Sequence, residues 1–261
     1  MELVQIEEPG ERSGELADAG LAIGLELTGS GLRLAASVGG NVELIRNAEG
    51  GLDFLPALAG YDEAGLLVAG LTGLADPSAV GLDALTLPDG RDARGASVAD
   101  RVALLIQSAG RHLVRLTGRP IAGAVIVVPL DSTAGLRLTL MQAVEAGGIP
   151  VLRLAEFSVA LAIGGGLDHR GDGAYLHLAP VSSGLALARL EVTDGVVRLV
   201  GGALARHVDE VPALIAAEGS VRGVIAPGTA ATIVPEIPRL DGFDGADRAV
   251  IGAALLAEAL G

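Results

Sequence analysis

The chain of 261 residues contains no cysteine, no lysine and no tryptophan, and its aromatic side chains are two tyrosines and three phenylalanines. The absence of cysteine excludes disulfide bonds, thiolate zinc sites and cysteine-bound iron–sulfur clusters. Since all 18 basic residues are arginines, no mechanism that requires a lysine can operate. The sequence also lacks an apolar run long enough to span a bilayer and a signal peptide at its start, so we expect a cytoplasmic protein.

The charge balance is strongly negative. The 32 acidic residues give a net charge of −14 and are spread along the chain, which argues against nucleic acids and anionic membranes as partners. Apolar residues make up 50% of the sequence, which is enough to bury a large core. Residues 1–20 are acidic and have no sustained apolar period. We therefore predict a flexible acidic tail over 1–20 and a folded part from Leu21 onward.

Two stretches of the chain share one pattern. Alternating apolar residues predict strands over Leu21–Thr28 and Leu32–Val38, joined by the turn Thr28-Gly29-Ser30-Gly31, and a third strand over Val42–Arg46. Residues 173–201 repeat the order of strand, Ser/Gly turn, strand, Asp-Gly hairpin and strand. A tight turn rich in glycine and hydroxyl groups is typical of phosphate binding through backbone N–H groups. We predict two related lobes, 21–168 and 169–261, each opening with a three-strand meander.

Helices and buried strands alternate around these meanders, whereas residues 47–96 have no regular period. Ser97 and Asp100 form a capping-box pattern, which predicts a helix from there to about Thr117. The apolar run Ile121–Leu130 predicts a strand buried on both faces, and the elements after it predict a βαβ unit. The remaining predicted elements are the helix Ser132–Glu145, the strand Val151–Leu154, the helix Phe157–Ile163, the helix Val208–Glu218, the strand Arg222–Ala226 and the helix Ala246–Leu260.

The chain contains four distinctive sequence motifs: IRNAEGG at 45–51, GRPIAGAVIVVP at 118–129, GIPVLRLAEFSVALAIGGGLD at 148–168 and GADRAVIGAALLAEAL at 245–260. Together with Arg137, these motifs and their order resemble the nucleotide-binding portion of DnaK-type seventy-kilodalton heat-shock chaperones, in the actin-like ATPase superfamily. The resemblance implies an α/β, ribonuclease-H-like fold of two lobes. It covers residues 21–261 and leaves too little chain for the outer subdomain of the second lobe. We therefore expect a truncated, degenerate nucleotide-binding domain.

The first phosphate loop of that family corresponds to residues 26–31 here. Glu26 stands where the family has the aspartate that holds magnesium through water, and it is one methylene longer. Thr28 replaces a glycine that lets the backbone approach phosphate, and a β-branched residue is poorly suited to that approach. Gly29 and Ser30 complete the loop. The resemblance marks Thr28, Gly29 and Ser30 as remnants of a nucleotide site.

The second phosphate loop departs further from the family pattern. His177 replaces one family aspartate, the second aspartate is absent, and the glycine triplet has become Ala179-Pro180-Val181. Pro180 has no N–H to donate, and Val181 places a branched side chain where phosphate would lie. Ser182 and Ser183 still offer hydroxyl groups. His177 is either a remnant of the catalytic site or a packed, hydrogen-bonded core histidine.

Two other family positions survive in part. Gly228 and Thr229 correspond to the adenosine-side motif, whose arginine is missing. Glu156 stands where the family has a glutamate that positions the attacking water, and the alternative role is a hydrogen bond between the lobes. The family's phosphate-contacting lysine cannot exist here. We therefore expect Glu26, Glu156 and His177 to be catalytic remnants, and we expect no metal site.

These losses remove several charge-neutralising and positioning groups of phosphoryl transfer at once, so we expect no ATPase activity and no cofactor. The leading hypothesis is a non-catalytic DnaK-like pseudo-ATPase that acts as a protein-binding, scaffold or regulatory module. Its partner would be another copy of itself, a chaperone or another protein assembly. One alternative is a nucleotide-responsive chaperone or actin-like switch that still binds Mg-ATP or ADP weakly. Another is a filament-forming relative of actin.

Overall fold

The computed structural model describes residues 20–46, 54–70, 78–85, 91–92, 94–181, 184–226 and 237–261. The predicted acidic tail lies outside the described residues except for Gly20. The strands are β1 Leu21–Leu27, β2 Gly31–Val38, β3 Asn41–Leu44, β4 Leu55–Pro56, β5 Leu58–Tyr61, β6 Leu67–Ala69, β7 Ser78–Ala79, β8 Ile121–Val128, β9 Val151–Glu156, β10 Gly173–Val181, β11 Gly184–Thr193, β12 Val196–Ala205 and β13 Gly223–Ile225. The helices are α1 Leu82–Leu85, α2 Val98–Thr117, α3 Ala134–Ala146, α4 Phe157–Gly164, α5 Val211–Ala217 and α6 Arg248–Leu260, with 3₁₀ turns at Leu167–His169 and Val208–Glu210.

The first sheet has the strand order β3-β2-β1-β8-β9, and β4 also pairs with β2. Strands β1, β2 and β3 form an antiparallel meander, whereas β8 runs parallel to both β1 and β9. Every residue of β1 is buried, because the strand lies in the interior of the sheet with helices on both faces. The predicted first meander and the predicted βαβ unit over β8, α3 and β9 are confirmed.

The second sheet repeats part of this plan. Its order is β12-β11-β10-β13, with an antiparallel meander of β10, β11 and β12 and a parallel strand, β13, beside β10. The predicted repeat of the opening pattern at residues 173–201 is therefore confirmed. The molecule is a mixed α/β structure that is compatible with an actin-like fold. The division into lobes at residues 168 and 169 stays a prediction.

The region 47–96, predicted as irregular, contains regular structure in its described part. Strands β5, β6 and β7 form a small antiparallel sheet, and helix α1 follows it. These strands are two to four residues long. Such short strands show no sustained alternation of apolar residues, which is why the sequence pattern did not reveal them.

Three predicted helices differ from the structure at their amino-terminal ends. The cap of α3 is Thr133, whose Oγ1 accepts from the Leu136 N–H, and Ser132 instead accepts a hydrogen bond from Arg137 Nε. The predicted helix Val208–Glu218 is divided into a 3₁₀ turn and α5, because Pro212 in the first turn of α5 has no N–H to continue the hydrogen-bond ladder. Helix α6 begins at Arg248 rather than Ala246. The predicted capping box of α2 is present.

Helices α4 and α6 lie between the two sheets. One hydrophobic cluster joins Val125 of the first sheet, Ala160 of α4, Ala253 of α6, and Tyr175 and Leu190 of the second sheet. Helices α2 and α3 cover the other face of the first sheet, and α5 covers the other face of the second. This layered packing brings the carboxyl ends of β1, β8, β10 and β13 around one cavity. No helix among the described residues is long and apolar enough to cross a membrane.

Candidate functional site

A cavity of about 540 Å³ opens at the carboxyl ends of β1, β8, β10 and β13. Ligands of open α/β sheets characteristically bind at the carboxyl ends of strands. The cavity brings together four sequence-predicted residues, Glu26, Thr28, Gly29 and His177. It is also lined by Leu27, Leu82, Asp83, Val127, Pro129, Leu130, Asp131, Phe157, Leu161, Ala179, Pro180, Val181, Ile225, Ala226, Leu240, Phe243, Asp244, Gly245 and Ala246.

The turn between β1 and β2 is closed by the side chain of Thr28. Its Oγ1 accepts hydrogen bonds from the N–H groups of Ser30 (3.3 Å) and Gly31 (3.0 Å). The Thr28 N–H itself donates to the Gly31 carbonyl at 2.8 Å. These are the backbone donors that a phosphate loop presents to its ligand. Here the N–H groups of Ser30 and Gly31 donate to the Thr28 hydroxyl instead. Threonine side chains commonly form such local hydrogen bonds to the backbone of a turn.

Glu26 is buried at the end of β1, with 6% of its surface exposed. Its carboxylate is 3.3 Å from Arg33 Nη1 of β2, the residue directly opposite it in the strand register. Burial raises the pKa of the Glu26 carboxyl, and the nearby Arg33 guanidinium opposes that rise. Arg33 in turn lies 3.5 Å from Asp247. The carboxylate that was predicted to correspond to the family aspartate thus already has a cationic partner within the protein.

The hairpin between β10 and β11 carries the residues that were predicted to correspond to the second phosphate loop. Pro180 pairs with Leu185 and Val181 with Gly184 in the antiparallel register, and Pro180 and Val181 both line the cavity. The proline offers no N–H donor at this edge of the cavity. Ser182 and Ser183 lie outside the described residues. The described part of this hairpin therefore contributes the pyrrolidine ring of Pro180 and the branched side chain of Val181 to the cavity wall.

His177 lies in the middle of the cavity wall and is 1% exposed. Its Nδ1 is 2.8 Å from Ser158 Oγ, and its ring stacks on Phe157 with centroids 5.9 Å apart. Burial lowers the pKa of His177 to about 4, so the imidazole is neutral at pH 7. The geometry is that of a hydrogen-bonded core histidine on the border of a cavity.

Glu156 is placed apart from the other predicted residues. It ends β9, and its carboxylate forms an ion pair with Arg137 Nη1 of α3 at 2.9 Å. Because α3 connects β8 to β9, this ion pair joins elements of one sheet unit. Among the described residues, Glu156 makes no hydrogen bond to the second sheet, which is where the alternative role would place one. Gly228 and Thr229 lie outside the described residues, although the preceding Ala226 lines the cavity.

Three carboxylates of the cavity were missed by the sequence reasoning. Asp131 lies three residues after the end of β8, and its position after a buried parallel strand was a usable signal. Asp83 lies in the short helix α1 beside Gly29, and Asp244 precedes α6. Both come from stretches whose sequence has no regular period, so no pattern pointed to them. With Glu26, four carboxylates border the cavity, and none of the described lining residues is an arginine.

No group of three or more histidine, aspartate or glutamate side chains in the described ranges is arranged to hold a metal ion. The four carboxylates of the cavity are thus dispersed around its wall. Divalent cations such as Mg²⁺ and Ca²⁺ need several oxygen ligands converging on one point. Such convergence is not found in the part of the chain that the structure describes.

Comparison with known proteins finds similarity to chaperones. The chain is 28% identical over 204 residues to a protein named Chaperone protein HscA homolog from Aromatoleum aromaticum, a match that covers 67% of this chain and 32% of that protein. It is 29% identical over 228 residues to a protein of the same name from Bordetella petrii, a match that covers 77% of this chain and 36% of that protein.

The chain thus spans about a third of the length of the curated relatives it matches. No protein-family model matches the chain. At this level of identity the similarity supports kinship with seventy-kilodalton heat-shock chaperones of the actin-like ATPase group. It agrees with the resemblance that the sequence motifs indicate.

Proposed function

We propose that this chain is a chaperone-related pseudo-ATPase, a non-catalytic DnaK-like module that acts by binding other proteins. The observation that carries the proposal is the turn after β1. The Thr28 hydroxyl occupies the N–H groups of Ser30 and Gly31, so a phosphate would have to displace two existing hydrogen bonds. Phosphoryl transfer depends on such preorganised donors, and losing one commonly lowers a rate by two to three orders of magnitude, that is about 3 kcal/mol.

The charge around the cavity supports the same proposal. A nucleotide triphosphate brings several negative charges, which the ATPases of this superfamily neutralise with magnesium and basic side chains. Here Glu26, Asp83, Asp131 and Asp244 border the cavity, and the described lining residues include no arginine. Like charges at short range in a partly buried site disfavour binding. The described wall of the cavity therefore lacks the positive charge that would hold a polyphosphate.

A protein-binding role follows from what the fold retains. The elements that build the two sheets and the helices between them are intact, although the groups for nucleotide chemistry are replaced. The two-lobe, actin-like arrangement without an outer subdomain is part of this proposal. Under it, surface that the missing subdomain would cover is available to another protein, either a second copy, a chaperone or another assembly.

One observation favours a second candidate, a nucleotide-responsive switch. The cavity of about 540 Å³ lies at the expected place between the two predicted phosphate hairpins and is within the size range of small-molecule sites. Weak binding of Mg-ATP or ADP through the remaining hydroxyl groups would suit this candidate. A filament-forming relative of actin would instead show concentration-dependent sedimentation.

Isothermal titration with ATP and ADP, with and without magnesium, tests the proposal. We expect no heat of binding at a protein concentration of roughly 100 μM, which would place any affinity weaker than about 1 mM, or about 4 kcal/mol. Phosphate release from ATP should equal that of buffer. Magnesium-dependent binding in the micromolar range would contradict the pseudo-ATPase proposal and favour the switch. A titration of adenosine, which carries no phosphate, separates rejection of the phosphates from loss of the whole site.

A further inference from the structure

The interior of the cavity is mostly apolar. Val127 and Ile225 contribute from the ends of two parallel strands, Leu161 and Phe157 from α4, and Phe243 from the segment before α6. Small-molecule sites have this character, an apolar and aromatic wall with a few polar groups that orient the ligand. Under the proposed function no nucleotide fills this space, and the inference that follows rests on that point.

The polar groups of the cavity are arranged in two places. Asp83, Asp131 and Asp244 have exposed side chains, so their carboxylates lie toward solvent at the opening. Asp244 pairs with Arg239 at 2.7 Å, and the buried Glu26 pairs with Arg33. These two cations offset part of the negative charge, but neither arginine is among the described residues that line the cavity. Among the described residues Asp131 has no ion-pair partner, and its carboxylate leaves the opening negative.

Deeper in the wall, His177 supplies a neutral hydrogen-bonding group. It is 1% exposed, and among the described residues its ring has a single hydrogen-bond partner, Ser158, at Nδ1. The buried side-chain atoms that lack a partner in the described residues are His112 Nε2 and Asp168 Oδ1, so His177 Nε2 is not one of them. Because its imidazole is neutral at pH 7, His177 adds no charge to the wall of the cavity.

We propose that this cavity binds a small apolar molecule that carries a positive charge, a hydrophobic amine. Its apolar body would lie against Phe157, Leu161 and Phe243, and its ammonium group would lie near the carboxylates at the opening. The preference over an anion of the same shape comes from the carboxylates at the opening, because the neutral deeper wall favours neither charge. The same arrangement disfavours polyphosphates, so the cavity is selective by charge.

A matched pair of ligands tests this inference. 1-Naphthylmethylamine and the anion of 1-naphthaleneacetic acid share the naphthalene ring system and carry opposite charges at pH 7. Because the chain has no tryptophan, naphthalene fluorescence can be followed with little protein background. We expect the amine to bind at least tenfold more tightly than the carboxylate, a difference of about 1.4 kcal/mol. Equal affinity for the two ligands, or tighter binding of the carboxylate, would overturn the inference.

Two variants separate the cavity from the overall negative charge of the protein. Asp131→Asn removes a carboxylate at the opening, and Asp209→Asn makes the same change at an exposed residue that does not line the cavity. We expect Asp131→Asn to reduce the preference for the amine by about twofold to fivefold, while Asp209→Asn leaves it unchanged. Equal effects of the two variants would show attraction by net charge and would overturn the site.

A third variant fills the cavity. Ala179→Phe adds a ring at a buried lining residue and should abolish binding of both ligands. Retained binding in a folded Ala179→Phe protein would overturn the site. If circular dichroism shows that Ala179→Phe does not fold, the comparison of Asp131→Asn with Asp209→Asn still tests the site. The nucleotide titration distinguishes the two proposals. Binding of ATP would refute the pseudo-ATPase proposal. If ATP does not bind and the two naphthyl ligands bind equally well, only the inference about the amine is refuted.

Discussion

The contact between α4 and α6 gives a sharp prediction, because glycine on each helix lets the two backbones touch. A Cβ atom added at Gly252 of α6 would lie 2.7 Å from Gly164 N and 2.8 Å from Ala160 C, and nearer still to the Ala160 carbonyl oxygen. Contacts under 3.0 Å are essentially never made by a real Cβ. The atoms in the way belong to backbone, so no side-chain rotation relieves the clash. Gly252→Ala must therefore push the helices apart.

The expected cost can be worked from this geometry. Helix α6 cannot simply move away from α4, because its opposite side rests on β1, where a Cβ at Gly24 would lie 2.6 Å from Ala254 N. Overpacking in a core costs about 1–3 kcal/mol, and the constraint on both sides of α6 places this site at the upper end. The alanine regains about 1 kcal/mol of helix propensity over glycine. We expect a net destabilisation of about 2 kcal/mol.

Urea unfolding followed by far-ultraviolet circular dichroism measures this change in the free energy of unfolding. The matched control is Gly135→Ala in α3, where the nearest atom to an added Cβ is Thr133 Oγ1 at 3.9 Å. That variant should be as stable as the natural protein or gain up to about 1 kcal/mol. If Gly252→Ala unfolds within about 0.5 kcal/mol of the natural protein, the close packing of α4 on α6 is refuted.

The remaining predictions concern one carboxylate and one histidine. Glu258 near the end of α6 accepts hydrogen bonds from Ser37 Oγ at 2.5 Å and from the N–H groups of Gly39 and Gly40 in the β2–β3 turn. Glu258→Gln should destabilise by about 1–2 kcal/mol in the same urea assay, and a loss below about 0.3 kcal/mol would show that the turn does not depend on the charge. Burial lowers the pKa of His177 from 6.5 to about 4, so the unfolded chain binds the proton more readily. The contribution of this histidine, about 3 kcal/mol, is fully present above pH 6.5 and is lost as the pH falls toward 4. His177→Leu should flatten the dependence of unfolding free energy on pH within that window, and an unchanged slope would contradict the buried neutral state.

Part of the site could be predicted from the sequence. Glu26, Thr28, Gly29 and His177 were predicted from the resemblance to the family's phosphate loops, and all four line one cavity. Glu26, Thr28 and Gly29 come from the end of β1 and the turn after it, and His177 comes from the middle of β10. The alternation of apolar residues locates these two strands, which both run in the interior of their sheets.

Other features of the site depended on contacts that no local pattern encodes. The occupation of the turn donors by the Thr28 hydroxyl depends on the conformation of the turn, and the pairing of Glu156 with Arg137 depends on how α3 packs beside β9. Asp83 and Asp244 come from segments without a regular period. Their approach to the cavity is decided by the packing of α1 and α6.

The sequence by itself determined the elements that depend on neighbouring residues, which are the two meanders with their turns, the capping box of α2 and the buried strand β8. Its composition also excluded any chemistry that requires a lysine. The tertiary structure alone decided which elements meet. The carboxylate of Glu258 holds a turn more than two hundred residues away, and α6 fits between β1 and α4 only where glycines remove the Cβ atoms. Short-range patterns reflect the conformational preferences of neighbouring residues. Contacts between distant segments are decided by close packing, in which the shape of every layer depends on the others.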